Sequence, residues 1–272
     1  MNEAFEQLAR SLAVAWRGGG TVPLPPAGTG PASRADAFAI QDRMAELIGD
    51  ACVGWKVGAA VPAVQRLEGH DGPITGRLLA SRMFTSPATV PAALFDGYKV
   101  ECEFAFRFRA GVPARARAYT RAELLPLLVL HPGLELAGSR YAAARDGRKA
   151  TTWDAIADNG AGGGYVVGAG IEGWTGIDFA TLPLDARFDG GGPIGVYTGE
   201  LRRDAVDILV ETVNGLSERG IGLAAGDLLS TGSLTVPTPL RRGQTYVARF
   251  GELPALAVTV GQPARAPASS PR

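Results

Sequence analysis

The chain has 272 residues, in which 27 Lys and Arg balance 27 Asp and Glu. This balance leaves no global field to attract nucleic acid or an anionic membrane, so a small-molecule partner is expected. The apolar runs, such as 127–130, are too short to span a bilayer, and the acidic N-terminus does not match a secretory signal. We therefore expect a soluble cytoplasmic protein. Cys52 and Cys102 lack disulfide or zinc spacing and are expected to be buried.

Residues 1–50 predict two helices, separated by a Gly/Pro-rich break at 18–31. In the second helix Ser33 and Asp36 have the spacing of a capping box, and apolar residues recur along one face. Further along, Thr120 and Glu123 open a helix with the same spacing, and LRRDAVDILVETVNGLSERG (201–220) has helical periodicity.

From residue 51 onward, short apolar segments with Gly and Pro borders predict strands. They are CVGWKVG, VECEFAFRF, GLELAG, GYVVG, PLDARF, GDLLSTGS, TYVARF and ALAVTV. Many strands with few helices between them predict an α+β fold, mainly β, with peripheral helices. The predicted units are a helical segment (1–50), packed on a main domain (51–260), and a disordered tail (261–272).

Acidic residues stand inside two of the predicted strands. Glu101 and Glu103 of VECEFAF project to the same face, because side chains alternate along a strand, and Glu135 has a similar apolar background. Carboxylate oxygens are the ligands that Mg²⁺ and Mn²⁺ prefer. A solvated sheet face explains the same pattern, so the residues by themselves leave both interpretations open.

Several motifs carry a resemblance to a known family. They are GWKVG (54–58), G-x-L in TGRLL (75–79), E-x-E in VECEFAF, LELAGSR (134–140), A-D-N (157–159) and GDLLSTGS (226–233). In this order they resemble the 2-keto-4-pentenoate hydratase and 4-oxalocrotonate decarboxylase group of the fumarylacetoacetate hydrolase superfamily. The resemblance covers residues 35–260 and implies a mixed β-roll or sandwich like the C-terminal domain of that superfamily.

By that resemblance Glu101, Glu103 and Glu135 bind a divalent cation, Mg²⁺ or Mn²⁺. Lys56, Leu78 and Ser233 are implied to contact the substrate, a short 2-hydroxy-dienoic or 2-oxo acid. Desolvation in a strand is expected to lower the pKa of Lys56 toward proton transfer, although the ammonium can instead hold the substrate by charge. A surface lysine and a turn-capping serine are the structural alternatives for Lys56 and Ser233.

The roles of the other polar residues stay open at this stage. Asp158 is a candidate for catalysis, but with Asn159 it can equally form a structural turn. His70, in the loop EGHDGPITG, is a candidate acid or base or a solvent-facing loop residue. Arg140 is expected to anchor Glu135 beside the metal.

The predicted function is that of a metal-dependent lyase, a hydratase that adds water to a short 2-hydroxy-2,4-dienoate or its 2-oxo tautomer. Ile74 and Ala161 stand where family hydratases carry polar residues, so metal-assisted enolisation is better supported than any one reaction. Decarboxylation of the 4-oxalocrotonate type is the main alternative. C–C bond hydrolysis is weaker, because neither His70 nor His131 has a glutamate three residues later.

A catalytically eroded scaffold, or a subunit that only binds small acids, is the alternative of another class. The resemblance also implies a role in the catabolism of aromatic compounds and a homo-oligomer, or a hetero-oligomer with a pathway decarboxylase or hydratase.

Overall fold

A computed structural model describes residues 2–144 and 147–261. Within these residues the α-helices are α1 (Glu3–Gly18), α2 (Arg34–Ile48), α3 (Pro62–Glu68), α4 (Ala92–Phe95), α5 (Arg121–Leu124), α6 (Thr152–Ala157) and α7 (Ala205–Glu218). The strands are β1 (Cys52–Gly58), β2 (Ile74–Leu79), β3 (Met83–Thr85), β4 (Ala88–Pro91), β5 (Lys99–Phe108), β6 (Leu128–Ala137), β7 (Gly162–Val167), β8 (Leu184–Phe188), β9 (Leu228–Ser233), β10 (Thr238–Pro239), β11 (Thr245–Phe250) and β12 (Leu256–Gly261).

Side-chain caps set the starts of the helices. The Ser33 hydroxyl accepts a hydrogen bond from the N–H of Asp36 at the start of α2, and Thr120 and Glu123 form the complete capping box of α5. The Asp204 carboxylate accepts from the N–H groups two and three positions later, so α7 begins after the basic residues that the sequence pattern included. Local hydrogen bonding therefore fixes where these helices start.

The strands form two sheets. The larger is 8-stranded, in the order β2-β1-β9-β5-β6-β7-β3 with β10 also paired to β5, and the smaller is 4-stranded, in the order β4-β12-β11-β8. Parallel and antiparallel pairs occur in both, since β1 runs parallel to β9 and β4 runs parallel to β12. The fold is mixed, with helices and curled sheets, and confirms the predicted class.

Apolar side chains join these layers. Between the sheets, the ring of Phe104 on β5 lies 4.8 Å from that of Phe179 and 5.4 Å from that of Phe250 on β11. A second core, which includes Leu12 of α1 and Ile40 of α2, joins these helices to α6 and β2. The N-terminal helices are thus packed on the end of the larger sheet, while the division into domains stays a prediction.

Sequence patterns predict β1, β5, β6, β7, β8, β9, β11 and β12 but do not predict β2, β3, β4, β10, α3, α4 or α6. β2 has weak strand character because it contains a glycine, and a Cβ at Gly76 would lie 2.1 Å from the carbonyl oxygen of Asn159. The close approach of the backbones therefore requires this glycine. The expectation that Cys52 is buried is wrong: it begins β1 at an exposed position, whereas Cys102 is buried.

The helices of residues 2–144 and 147–261 all lack the combination of length and apolar character needed to cross a bilayer. Of the predicted tail, residues 262–272 lie outside the described residues.

Candidate active site

Strand register brings the predicted metal ligands together. In the antiparallel pair of β5 and β6, Glu101 lies directly opposite Glu135, and Glu103 lies opposite Gly133. One carboxylate oxygen from each of Glu101, Glu103 and Glu135 lies within 4.8 Å of the others; these three residues are called the carboxylate cluster below. The face they share is not a solvated sheet surface, because Glu103 is 0% and Glu135 1% exposed, while Glu101 is partly buried.

The carboxylate cluster concentrates negative charge in a buried place. Burial, and then the charge of Glu135, raise the pKa of Glu101 to about 8. Burial also raises the pKa of Glu103 well above its ordinary range, with the charges of Glu135 and Glu101 adding to the effect. Within the described residues, neither buried oxygen of Glu103 has a hydrogen-bond partner. These oxygens are the donors that a divalent cation needs, so the residues fit a metal.

Lys56 on β1 is the cation nearest to this cluster in the described structure. Its Nζ lies 3.1 Å from Oε1 of Glu135, and the residue is 4% exposed. Burial by itself would lower the pKa of Lys56, but the charges of Glu135, Glu101 and Glu103 outweigh burial and raise it. The predicted lowering of this pKa is therefore wrong, and the side chain stays an ammonium ion at neutral pH.

A cavity of about 230 Å³ opens beside the cluster. Lys56, Glu101, His70 and Ser233 all line it, so the structure brings these sequence-predicted residues together. The Ser233 hydroxyl donates to the carbonyl of Thr235 at 2.7 Å and accepts from the Thr235 N–H at 3.3 Å, which leaves its oxygen one further lone pair.

His70 reaches the same cavity from the loop after α3. Its Nε2 lies 3.7 Å from Oε2 of Glu68, and its Nδ1 lies 3.4 Å from the Thr152 hydroxyl. Burial, and to a smaller extent the charge of Lys56, lower the pKa of His70 against the opposing influence of Glu68. The imidazole is therefore neutral at neutral pH and able to accept a proton.

Asp158 and Leu78 do not line this cavity. Both carboxylate oxygens of Asp158 accept hydrogen bonds: Oδ1 from Arg140 Nε at 2.5 Å, and Oδ2 from the Arg140 N–H at 2.7 Å and from Ser139 Oγ at 3.0 Å. The contacts are structural, so the turn interpretation fits Asp158 better than catalysis. The expectation that Arg140 anchors Glu135 is wrong, because its guanidinium binds Asp158 and the Gly162 carbonyl. Leu78 packs instead with apolar residues such as Tyr165.

Several cavity residues are missing from the sequence-based set. Glu68, Tyr197 and Arg203 line the cavity, and they come from three separate segments of the chain. Glu68 lies two residues before His70 and belongs to the same loop motif. The sequence alone does not show that Glu68 lines the cavity. Gly162 lies next to the Lys56–Glu135 ion pair: a Cβ there would lie 3.1 Å from Cε of Lys56 and 3.4 Å from Oε1 of Glu135. Its missing side chain leaves room for the Lys56–Glu135 ion pair.

The sequence and the fold are both similar to those of known proteins. No family model matches the chain. It is 28% identical over 223 residues to a 2-keto-4-pentenoate hydratase of Paraburkholderia xenovorans LB400, covering 78% of each protein. It is 27% identical over 232 residues to a 2-oxo-hept-4-ene-1,7-dioate hydratase of Escherichia coli, covering 80% of this chain and 83% of the relative. A solved 4-oxalocrotonate decarboxylase from Pseudomonas putida G7, complexed with magnesium and adipate, shares the fold with a TM-score of 0.81 at 21% identity, over 96% of this chain and 98% of that one.

Proposed function

We propose that this chain, which belongs to the group of 2-keto-4-pentenoate hydratases and 4-oxalocrotonate decarboxylases, is a divalent-metal-dependent hydratase of a short 2-hydroxy-2,4-dienoate or its 2-oxo tautomer. The observation that carries the proposal is the carboxylate cluster, in which buried oxygens of Glu103 lack partners within the described residues beside an open cavity. The named hydratases among its relatives support this choice of reaction.

Glu101, Glu103 and Glu135 would hold Mg²⁺ or Mn²⁺. When bound, the cation supplies positive charge that stabilises the negative charge developing on the 2-oxygen of the substrate. The magnesium complex of the decarboxylase with the same fold is consistent with this assignment. Glu103 and Glu135 are buried, whereas Glu101 is partly exposed and lines the cavity.

Lys56 and His70 have different parts in this proposal. The ammonium of Lys56, held 3.1 Å from Glu135 at the cavity wall, attracts and orients the carboxylate of the substrate. The neutral imidazole of His70 accepts a proton and returns it, with Glu68 stabilising the charged form. The Ser233 oxygen, which lines the cavity, accepts a hydrogen bond from the substrate or from water in this proposal.

The proposed reaction has two balanced steps. The dienol loses the proton of its 2-hydroxyl and gains one at C5, which gives the 2-oxo-3-enoate. Water then adds across the C3–C4 double bond, with its hydroxyl bonding to C4 and a proton to C3, and the product is a 4-hydroxy-2-oxo acid. His70 is the proposed carrier of these protons.

The test uses purified protein with Mg²⁺ or Mn²⁺ and 2-hydroxypenta-2,4-dienoate. We expect the dienol absorbance to disappear faster than in the absence of enzyme, with 4-hydroxy-2-oxopentanoate as the product. Absorbance loss at the uncatalysed rate, with metal bound, would refute the hydratase and favour a non-catalytic subunit. Release of CO₂ from a 2-oxo-hexenedioate would instead identify a decarboxylase.

The proposal includes a cytoplasmic, homo-oligomeric enzyme of aromatic-compound catabolism, as the family resemblance implies. Light scattering of the purified protein and fractionation of cells that express it test the assembly and the location.

A further inference from the structure

The sheet face that carries the carboxylate cluster also carries a tyrosine. In the pairing of β6 with β7, Tyr165 lies directly opposite Glu135, which itself lies opposite Glu101 on β5. Residues directly opposite each other in an antiparallel pair project to the same face, so the Tyr165 side chain shares the face of the cluster. Tyr165 is 0% exposed, and the apolar side chains of Leu78 and Ala105 pack with it. Packing therefore fixes the position of the ring.

The Tyr165 ring reaches across β6 toward Glu103. A Cβ at Gly133 would lie 2.2 Å from the Tyr165 hydroxyl and 2.5 Å from its Cζ, so the phenol end of the ring occupies the space above this glycine. Gly133 is the residue directly opposite Glu103 in the pairing of β5 with β6. Residues paired in this way have Cβ atoms about 4.5–5.5 Å apart. The geometry therefore places the Tyr165 hydroxyl beside the Glu103 side chain.

A second hydroxyl approaches Glu103 from the other neighbouring strand. Ser230 on β9 pairs with Ala105, which follows Glu103 by two residues on β5 and so shares its face. Ser230 is 0% exposed, and its hydroxyl lowers the pKa of Glu103 against the larger effects of burial and of the neighbouring carboxylates. Because β9 and β6 flank β5 in the sheet, the hydroxyls of Ser230 and Tyr165 approach Glu103 from opposite sides.

These two hydroxyls and the Glu103 carboxylate are buried polar groups that lack partners. Within the described residues the Tyr165 hydroxyl, the Ser230 hydroxyl and both carboxylate oxygens of Glu103 have no aligned hydrogen bond. Native proteins leave few buried polar groups in this state, so four such atoms in one place indicate a function that needs them. Burial, and then the charges of Glu103 and Glu135, raise the pKa of Tyr165. Its hydroxyl therefore keeps its proton at neutral pH and is available as a donor.

We infer that Tyr165 and Ser230 are positioning residues, whose hydroxyls donate hydrogen bonds to Glu103 and orient its carboxylate toward the divalent cation. The inference rests on the part of the proposed function that places the cation at the carboxylate cluster. A carboxylate has lone pairs beyond those that bind a cation, and hydroxyl donors on these lone pairs fix the direction of the ligand. Donation also favours the ionised form of Glu103, which is the form that a cation binds. We expect the hydrogen bonds to align when the cation is bound.

The experiment measures Mn²⁺ affinity and stability in Tyr165→Phe, which removes the hydroxyl and keeps the ring. We expect Mn²⁺ affinity, measured by isothermal titration, to fall about tenfold or more, as for other residues that support metal ligands. The metal-free variant should be at least as stable in urea denaturation, because a buried hydroxyl without a partner is removed. A hydroxyl with a purely structural role would instead lower stability when removed and leave Mn²⁺ affinity unchanged. That result would overturn the role of Tyr165.

Two further variants complete the experiment. Ser230→Ala should also lower Mn²⁺ affinity, and an unchanged affinity would overturn the role of Ser230. Tyr141→Phe is the matched control, because the Tyr141 hydroxyl is likewise buried without a partner in the described residues, while its ring packs in the core of the N-terminal helices. Its Mn²⁺ affinity should equal that of the parent. Equal losses in Tyr141→Phe and Tyr165→Phe would show a general effect of removing a buried hydroxyl and would overturn the inference.

The outcomes also separate this inference from the hydratase. Turnover of the dienoate by the parent, together with equal Mn²⁺ affinities of the parent and Tyr165→Phe, refutes the positioning role alone. Mn²⁺ binding by the parent without turnover refutes the hydratase, and a lower affinity in Tyr165→Phe then still supports the positioning role. Failure of the parent to bind Mn²⁺ refutes both.

Discussion

The Arg140–Asp158 pair and the carboxylate cluster are both buried, yet their charges are compensated to different degrees. Arg140 and Asp158 have side chains that are 0% exposed, and every oxygen of the Asp158 carboxylate accepts a hydrogen bond. The cluster sets three carboxylates against the single ammonium of Lys56 and leaves both oxygens of Glu103 unpartnered within the described residues. In the Arg140–Asp158 pair the two charges balance and the pair stabilises a turn. The carboxylate cluster needs a further cation to balance its charge.

This difference separates structural burial of charge from functional burial. A closed pair contributes to the fold, because removal of one member leaves a buried charge without compensation. A cluster whose charges are only partly balanced destabilises the folded state until a ligand binds. Such clusters occur where binding or catalysis requires them. The two groups lie close in the fold, because Arg140 Nη1 donates to the Gly162 carbonyl at 2.6 Å, and a Cβ at Gly162 would lie 3.4 Å from Oε1 of Glu135.

The largest expected effect comes from removing one member of the Arg140–Asp158 pair. Arg140→Met should lower the free energy of unfolding by about 3–5 kcal/mol, because the Asp158 carboxylate stays buried without its partner. Urea denaturation monitored by circular dichroism measures this change. Arg187→Met, in the exposed Arg187–Asp185 pair, is the control and should change stability by less than about 1 kcal/mol. Equal effects of the two changes would show that the buried pair is not structural.

A second prediction concerns the carboxylate cluster. Glu103→Gln keeps the shape of the side chain but removes one ligand charge, so metal affinity should fall at least about 100-fold. The metal-free variant should be no less stable than the parent, because the change relieves like-charge repulsion. Isothermal titration with Mn²⁺ and urea denaturation without metal give the two values. Unchanged affinity would mean that Glu103 is not a ligand.

The packing beneath the cluster gives a third prediction. A Cβ at Gly133, opposite Glu103, would lie 2.2 Å from the hydroxyl of the buried Tyr165. Gly133→Ala should therefore destabilise the protein by about 1–3 kcal/mol, since the rigid ring must shift. Gly215→Ala is the control: it lies within α7 with nothing within 4 Å of the added Cβ, and should stabilise by up to about 1 kcal/mol. Thermal unfolding curves should then shift in opposite directions.

The last prediction is a dependence of metal binding on pH. The pKa of Glu101 is raised from an ordinary 4.5 to about 8 in the metal-free protein, so its protonated form stabilises the fold. That stability is present below pH 4.5 and is lost as the pH rises toward 8. Since the metal binds the deprotonated carboxylates, Mn²⁺ affinity should rise between pH 6 and pH 8 by up to about tenfold per unit for each proton released.

Calorimetry in buffers of different ionisation enthalpy counts the protons that are released on binding. The affinity of Glu101→Gln should depend less steeply on pH. A flat profile in the parent protein would show that the cluster is already ionised before metal binds.

Local pattern predicted much of this molecule. The strand β5 and the shared face of Glu101 and Glu103 follow from side-chain alternation, which needs no knowledge of the rest of the chain. The caps at Ser33 and Thr120 follow from side chains that bond to backbone groups three residues away. The sequence did not predict β2, because Gly76 weakens its strand pattern. The need for that glycine is seen only where the backbone at Asn159 packs against it.

By itself, the sequence determined many of the strands and helices, and that the two glutamates of β5 share a face. The tertiary structure decided which groups meet: Glu135 lies opposite Glu101 through the register of β5 and β6, and Arg140 binds Asp158 instead of Glu135. It also reversed the expected pKa shift of Lys56, because three carboxylates on β5 and β6 together outweigh burial. Backbone periodicity acts over neighbouring residues, whereas register, cavity lining and pKa depend on contacts between distant segments.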